Sequence, residues 1–289
     1  SMDPNRSIFH AKDIAEFQRY RDKLDDALLN YDMGPAFTIY NRFRIRVSQR
    51  VKFALTQLKG KFNFNLDEKY RFDRSKEPWV ADETALDKLW YKRIKNDYLN
   101  LKLAGKKEKG IVSTLTKRYE RLGRRNIQSK SEDVYQLFMN AYTLSIEPHT
   151  SYFSPRTSED FKIHMSLSLE GIGAALGIEN DHTIIRRIIP GGPAEASGKL
   201  HKKDLIVGVA QGKKKFIDVV GWRLDDVVRL IRGPKGTIVR LQVLKKGSLE
   251  GPMREVKLVR KKIQLKDQAA KKSIITIGKG RNQKRIGVI

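Results

Sequence analysis

Apolar residues recur at helical spacing through the first half of the chain. Ile14, Phe17, Leu24 and Leu28 mark a first stripe within a run rich in Asp, Lys and Arg. Phe37, Tyr40, Phe43, Val47, Val51, Leu55 and Leu58 make a longer one. A third runs through Leu86, Leu89, Trp90, Ile94, Tyr98 and Leu101 and ends near Gly105. A fourth carries Val134, Leu137, Phe138 and Tyr142 behind Ser131, which reads as an N-cap followed by Glu132 and Asp133 in the first turn. This periodicity predicts amphipathic helices packed on one another, with the aromatic residues as core side chains. Two segments, Phe62–Val80 and Ile146–Asp160, are rich in Pro, Ser, Asn and Asp and read as loops.

The pattern changes after Asp160. "GAALGI", a polar turn at Glu179-Asn180-Asp181-His182 and "TIIRRII" read as a hairpin. "PGGPAEASGKL" holds a turn and a short helix, "DLIVGVA" is a strand, and "QGKKK" is a polar tip. "RLDDVVRLI" is helical, with Leu224, Val227, Val228 and Ile231 at i, i+3, i+4 and i+7. "TIVRLQVL" and "REVKLVRKKI" add strands, giving a small module of five or six strands and two helices. The fold class expected is α+β. From Gln264 to Lys284 the chain is basic and loosely patterned, and it closes on "RIGVI", an apolar strand with no evident neighbour. A strand needs partners for its backbone, so the chain is expected to be cut short at its C-terminus.

Composition narrows the function classes. Of 289 residues, 39% are hydrophobic and 32% charged, and cysteine is absent. Disulfides, thiolate metal sites and a Cys nucleophile are thereby excluded. No apolar run reaches the ~18–20 residues of a membrane span, and "SMDPNRSIFH" has no apolar core of a signal peptide. The formal charge of +26 is compatible with a nucleic-acid, membrane-surface or acidic-protein partner. The basic residues are spread over the whole chain and no nucleic-acid motif accompanies them, so a solvated basic surface is the simpler reading.

"LEGIGAALGI" is the stretch with the most chemistry. A dinucleotide loop needs G-x-G-x-x-G and then a helix. Here Gly177 comes one position late and a turn and strand follow. "RGPKGT" follows a helix and lacks the Lys of a P-loop. No two of His10, His149, His164, His182 and His201 stand at zinc spacing, and no serine carries G-x-S-x-G. His182 sits in the polar turn, and His149 reads as a residue that orients its Pro-rich loop. What remains is a turn of small residues whose amides form an anion-binding nest. The strand after it, with Ala174, Leu176 and Ile178, can accept an extended peptide by β-addition. The helix with Leu224, Val228 and Ile231 would close a pocket for the terminal side chain. Part of each of these faces must also be core.

"LEGIGAALGI", "PGGPAEASGKL", "DLIVGVAQG" and "GWRLDDVVRLIRGPKGTIVRLQVL" together resemble a PDZ domain, in the version found in tail-specific, or C-terminal processing, serine peptidases. "SEDVYQLFMNAYTLSIEPHTSYFSPR" resembles the segment leading into it, and "FDRSKEPWVADETALDKLWYKRIKNDYLNLKLAG" the N-terminal helical domain of the long Gram-negative periplasmic branch. The resemblance implies a helical domain over 1–158, a PDZ domain, a small partly open β-barrel with two helices, over 159–262, and a linker with the first strand of a protease core over 263–289. It implies binding of apolar C-terminal protein tails, an adaptor protein as a further partner, a periplasmic location, and no metal, nucleotide or other cofactor. Carried over by residue, the carboxylate loop falls on Gly171, Ile172, Gly173 and Ala174. The groove falls on Leu176, Ile178, Leu224, Val227, Val228 and Ile231. The family's Ser–Lys dyad would lie beyond "RIGVI", so this chain is expected to hold no catalytic residue and to be inactive alone; the start resembles the middle of the helical domain. A PDZ adaptor that is naturally this short, and a basic nucleic-acid binder, are the competing readings. Two departures stand out. Glu147-Pro148-His149 replaces Asp-Pro-His, and Lys203-Asp204 replaces Gly-Asp, which strains the turn if a positive φ is required there. Lys213-Lys214-Lys215 reads as a solvated tip, with its charge available to anionic envelope surfaces.

Overall fold

The computed structural model describes residues 2–179, 181–245, 252–264, 273–278 and 283–288. Asn180, much of the basic tail and Ile289 lie outside the described residues. The chain divides into two units, Ser1–Ser154 and Pro155–Ile289.

The first unit is helical: α1 (Ala11–Phe17), a 3-10 turn (Gln18–Tyr20), α2 (Leu24–Leu29), α3 (Gly34–Gln57), α4 (Glu83–Leu103), α5 (Glu108–Ile127) and α6 (Ser131–Ile146). The first stripe is thus split between two short helices. The long stripes form the core, where Ala54 of α3 meets Leu86, Trp90 and Ile94 of α4. α5 was not among the expected helices, yet its Ile111, Leu115 and Tyr119 are equally buried. Ser131 is the first helical residue rather than the cap. Lys130 is the N-cap residue, and Asp133, in the first turn, accepts its amide at 2.9 Å.

A charged network ties α1, α3 and α4 together. Asp13 is fully buried and accepts from Arg42 at 2.6 Å and Arg46 at 2.9 Å. Arg46 and Arg50 both reach Glu83, and Arg50 also reaches Asp87. Burial opposes the Asp13 charge, but the hydrogen bonds from Arg46 and Arg42 outweigh it and hold its carboxyl below the usual aspartate range. His10 caps α1, its Nδ1 accepting the Asp13 amide at 3.3 Å, while its Nε2 lies against Arg46.

The second unit begins with α7 (Pro155–Ser166), which starts inside the segment read as a loop and runs past its end. Proline suits a first helical position because its missing N–H has no partner there. Then follow β1 (Ser168–Gly171), β2 (Ala174–Glu179), β3 (His182–Ile188), α8 (Pro193–Ser197), β4 (Leu205–Gln211), β5 (Ile217–Asp218), α9 (Leu224–Ile231), β6 (Ile238–Leu244), β7 (Arg254–Val259) and β8 (Lys261–Gln264). The main sheet runs β2-β3-β4-β6-β7, with β5 on β4, and β1 pairs antiparallel with β8. Ile185, Ile206, Val209, Val227, Val239 and Leu241 fill the core between sheet and helices. Arg260 divides "REVKLVRKKI" into β7 and β8. Its buried guanidinium donates to the Leu230 and Ile231 carbonyls at 3.0 and 2.8 Å and so caps the end of α9.

The closing strand does have a neighbour. β10 (Lys284–Val288) pairs antiparallel with β9 (Ser273–Ile277), Ile286 standing opposite Ile275. Among the described residues, no helix is long and apolar enough to cross a membrane.

Candidate functional site: an amide loop at an open sheet edge

The glycine loop is shaped by two glycines in contact. Gly173 has φ +76, and a Cβ on it would lie 2.9 Å from the Cα of Gly192. The loop's carbonyls are committed to the same neighbour segment. The Ile172 oxygen accepts from Ala194 at 2.7 Å and the Gly173 oxygen from Ile189 at 2.9 Å. The amides of Ile172 and Gly173 have no acceptor among the described residues. Ala174 stands opposite Ile188, next to the Ile189-to-Gly173 bond. In an antiparallel ladder that position turns the Ala174 amide away from β3. Three successive N–H groups are therefore open at one turn, which is the construction of an anion nest.

β2 lies at the end of the sheet order, so one of its edges has no strand partner among the described residues, and α9 packs beside it. At the loop end of this groove is a cavity of about 290 Å³. Gly171, Ile172, Gly173, Ala174, Leu176, Val228 and Ile231 all line it. Ile172 and Ile231 belong also to the core, only 3% and 2% exposed, so they form its floor. Val227 departs from the expectation. It is fully buried against the sheet and is absent from the lining. The apolar stripe of α9 is wide enough to divide: Val227 faces the core and Val228 the groove. Leu224, half-buried at the start of α9, and Ile178, exposed near the outer end of β2, do not reach the cavity.

One wall was missed in the sequence. Ile163 and His164 of α7 line the cavity too, and α7 is fastened beside α9 by ion pairs Arg156–Asp225 at 3.3 Å and Asp160–Arg232 at 2.8 Å. Pro155 behind Ser154 was the available signal for this helix. The other singled-out histidines lie elsewhere. His149 is exposed with Nδ1 3.4 Å from Glu147, and His182 begins β3 opposite Glu179 rather than sitting in the turn. A larger cavity, about 660 Å³, lies in the helical unit among Ile39, Tyr40, Val134, Leu137 and Phe138. It is apolar throughout most of its lining, whereas the small cavity adds open amides, which a carboxylate requires.

Residues 1–156 match the family model described as the tail specific protease N-terminal domain, and residues 160–244 match that of the PDZ domain. The chain belongs to the tail-specific protease family. Its α+β organisation is that of the family's helical N-terminal domain followed by PDZ. A tail-specific protease of Haemophilus influenzae is 43% identical over 272 residues, 94% of this chain and 39% of that protein. The carboxy-terminal processing protease CtpA of Bacillus subtilis is 35% identical over 101 residues, 35% of this chain and 20% of that protein. The chain thus spans about two fifths or less of the length of these relatives. Among solved structures, the PDZ domain of a Vibrio cholerae carboxy-terminal protease in complex with peptide is 54% identical, covering 34% of this chain and all of that one, with a TM-score of 0.33.

Proposed function

We propose that the PDZ domain captures the C-terminal tails of proteins, holding the terminal carboxylate on the amides of Ile172, Gly173 and Ala174 and the last, apolar side chain against Val228, Ile172 and Ile231. The observation that carries this reading is the run of three open amides beside an apolar cavity at an unpaired strand edge. Each charge-assisted hydrogen bond to the carboxylate contributes ~1.5–3 kcal/mol, and burial of the last side chain a further ~1.5–3 kcal/mol. The next residues of the tail extend along β2 by strand addition. A peptidase with a Ser–Lys dyad, as the family resemblance implies, is the proposed recipient of the captured tail. Envelope proteins, met in the periplasm, are the corresponding substrates.

The test is anisotropy with one labelled peptide as free acid and as C-terminal amide. The free acid is expected to bind at least about tenfold more tightly, the value of one lost charge-assisted bond. Equal affinities would remove the carboxylate assignment. Val228→Asp is the informative groove variant, because Val228 is only half-buried, and it should weaken binding by about tenfold or more. Ile172→Asp would confound the experiment by placing a charge in the core.

A further inference from the structure

The two faces of β2 are built differently. Ala174 and Leu176 pack on the core, so Ala175 and Gly177, which alternate with them, face the other way. That face has almost no side chain of its own and is overlaid from β3. The register shifts between Ala175 and Leu176: Ala175 stands opposite Arg187, and Leu176 opposite Ile185. Arg186 is the extra residue of this bulge. A Cβ on Gly177 would come within 2.6 Å of the Arg186 Nε, so that guanidinium lies over the glycine. Residues opposite one another share a face, which puts Arg187 beside Ala175. Arg187 also lines the cavity. Both arginines are exposed. Arg186 donates to the Ile178 carbonyl at 3.2 Å and lies 3.4 Å from Glu179, with both partners of that ion pair about half exposed.

A tail whose carboxylate sits at the start of β2 runs antiparallel to that strand, and its side chains alternate between the same two faces. With the last side chain in the cavity, the third from the end turns toward α9. The penultimate and fourth-from-last side chains then lie on the arginine face, across Ala175 and Gly177. We propose that Arg186 and Arg187 make this a site for tails that carry Asp or Glu at those two positions. The proposal rests on the tail-binding reading above and adds a substrate class to it. Small residues on β2 leave room for a carboxylate to approach the guanidinium groups, and an exposed ion pair of this kind changes affinity about two- to fivefold.

The experiment uses peptides with one apolar last residue and Asp or Lys placed singly at the penultimate, third-from-last or fourth-from-last position. Affinities are read by anisotropy at low salt. Asp is expected to be preferred over Lys at the penultimate and fourth-from-last positions and not at the third. The preference should reverse in the Arg186→Glu/Arg187→Glu variant. It should persist in Lys213→Glu/Lys214→Glu, which makes the same change of net charge on the β4–β5 connection. An equal preference at all three positions would show attraction to the net charge of +26 alone and overturn the proposal. So would a positional preference that survives the arginine reversal. If the reversed variant fails to fold, the positional pattern in the unaltered chain still decides. The same peptides as C-terminal amides separate tail capture from the choice of acidic tails. Equal binding of acid and amide sinks tail capture itself, whereas carboxylate dependence without a positional preference sinks only the acidic-tail proposal.

Discussion

Lys203 and Gly173 both adopt left-handed backbone, with φ +75 and +76. At Gly173 the residue type answers the geometry. At Lys203 it does not. The Lys203 amide donates to the Ile185 carbonyl at 2.7 Å, so the turn into β4 is held in that conformation by the sheet. An L-residue with a Cβ is disfavoured there by about 1 kcal/mol. Lys203→Gly should therefore stabilise the PDZ domain by about that amount, seen as a rise of several degrees in its thermal midpoint; an unchanged or lower midpoint would show the strain to be relieved elsewhere. His10 gives a second expectation. Burial, aided by Arg46 and opposed by Asp13, pulls its imidazole below the ordinary value. The unfolded chain then binds a proton near pH 6.5 that the folded unit resists. This contribution to stability is complete above about pH 6.5 and is lost as pH falls from there through the folded value. The midpoint of the helical unit, followed by Trp90 fluorescence, should drop between about pH 7 and pH 5. His10→Asn, which keeps an N-cap acceptor, should flatten that slope; an equal slope would assign the drop to another group. The Asp13 carboxyl, held lower, contributes its loss only below about pH 4.

α5 shows what the patterns could and could not reveal. Its buried Ile111, Leu115 and Tyr119 recur every fourth residue, but they stand in a strongly basic run containing Gly110 and Gly123, which dilutes the periodicity. The packing is nonetheless complete, for Leu115 is fully buried against α4 and α3 neighbours. Leu115→Ala should destabilise the helical unit by about 2–5 kcal/mol, measured by denaturant unfolding, and a loss under about 1 kcal/mol would mean that α5 packs more loosely than described. The long stripes of α3 and α4 were legible because large apolar residues recur without interruption. The glycine loop was legible because its turn needs glycine at one position. What could not be read was geometry that depends on pairing. The partner of the last strand, the wall supplied by α7, and the division of α9 between Val227 and Val228 follow from how elements meet, not from the order of residues within any one of them. The bulge at Arg186 belongs to the same class, since "TIIRRII" does not announce which residue falls out of register.

The charge of +26 is a property of the whole molecule, and it acts at long range on any anionic surface or tail within about a Debye length, ~8–10 Å at moderate salt. Its local distribution matters more for the PDZ edge. A strand with an unpaired edge can pair with the same strand of a second molecule, the usual route to edge-to-edge aggregation. Two β2 strands joined in that way would bring both copies of Arg186 and Arg187 onto neighbouring positions of one continuous surface. The bulge that places the arginines also bends the ladder away from the flatness that stacking requires. The guanidinium pair at the edge of the sheet thus has a second consequence: exposed charge there disfavours pairing of one copy with another.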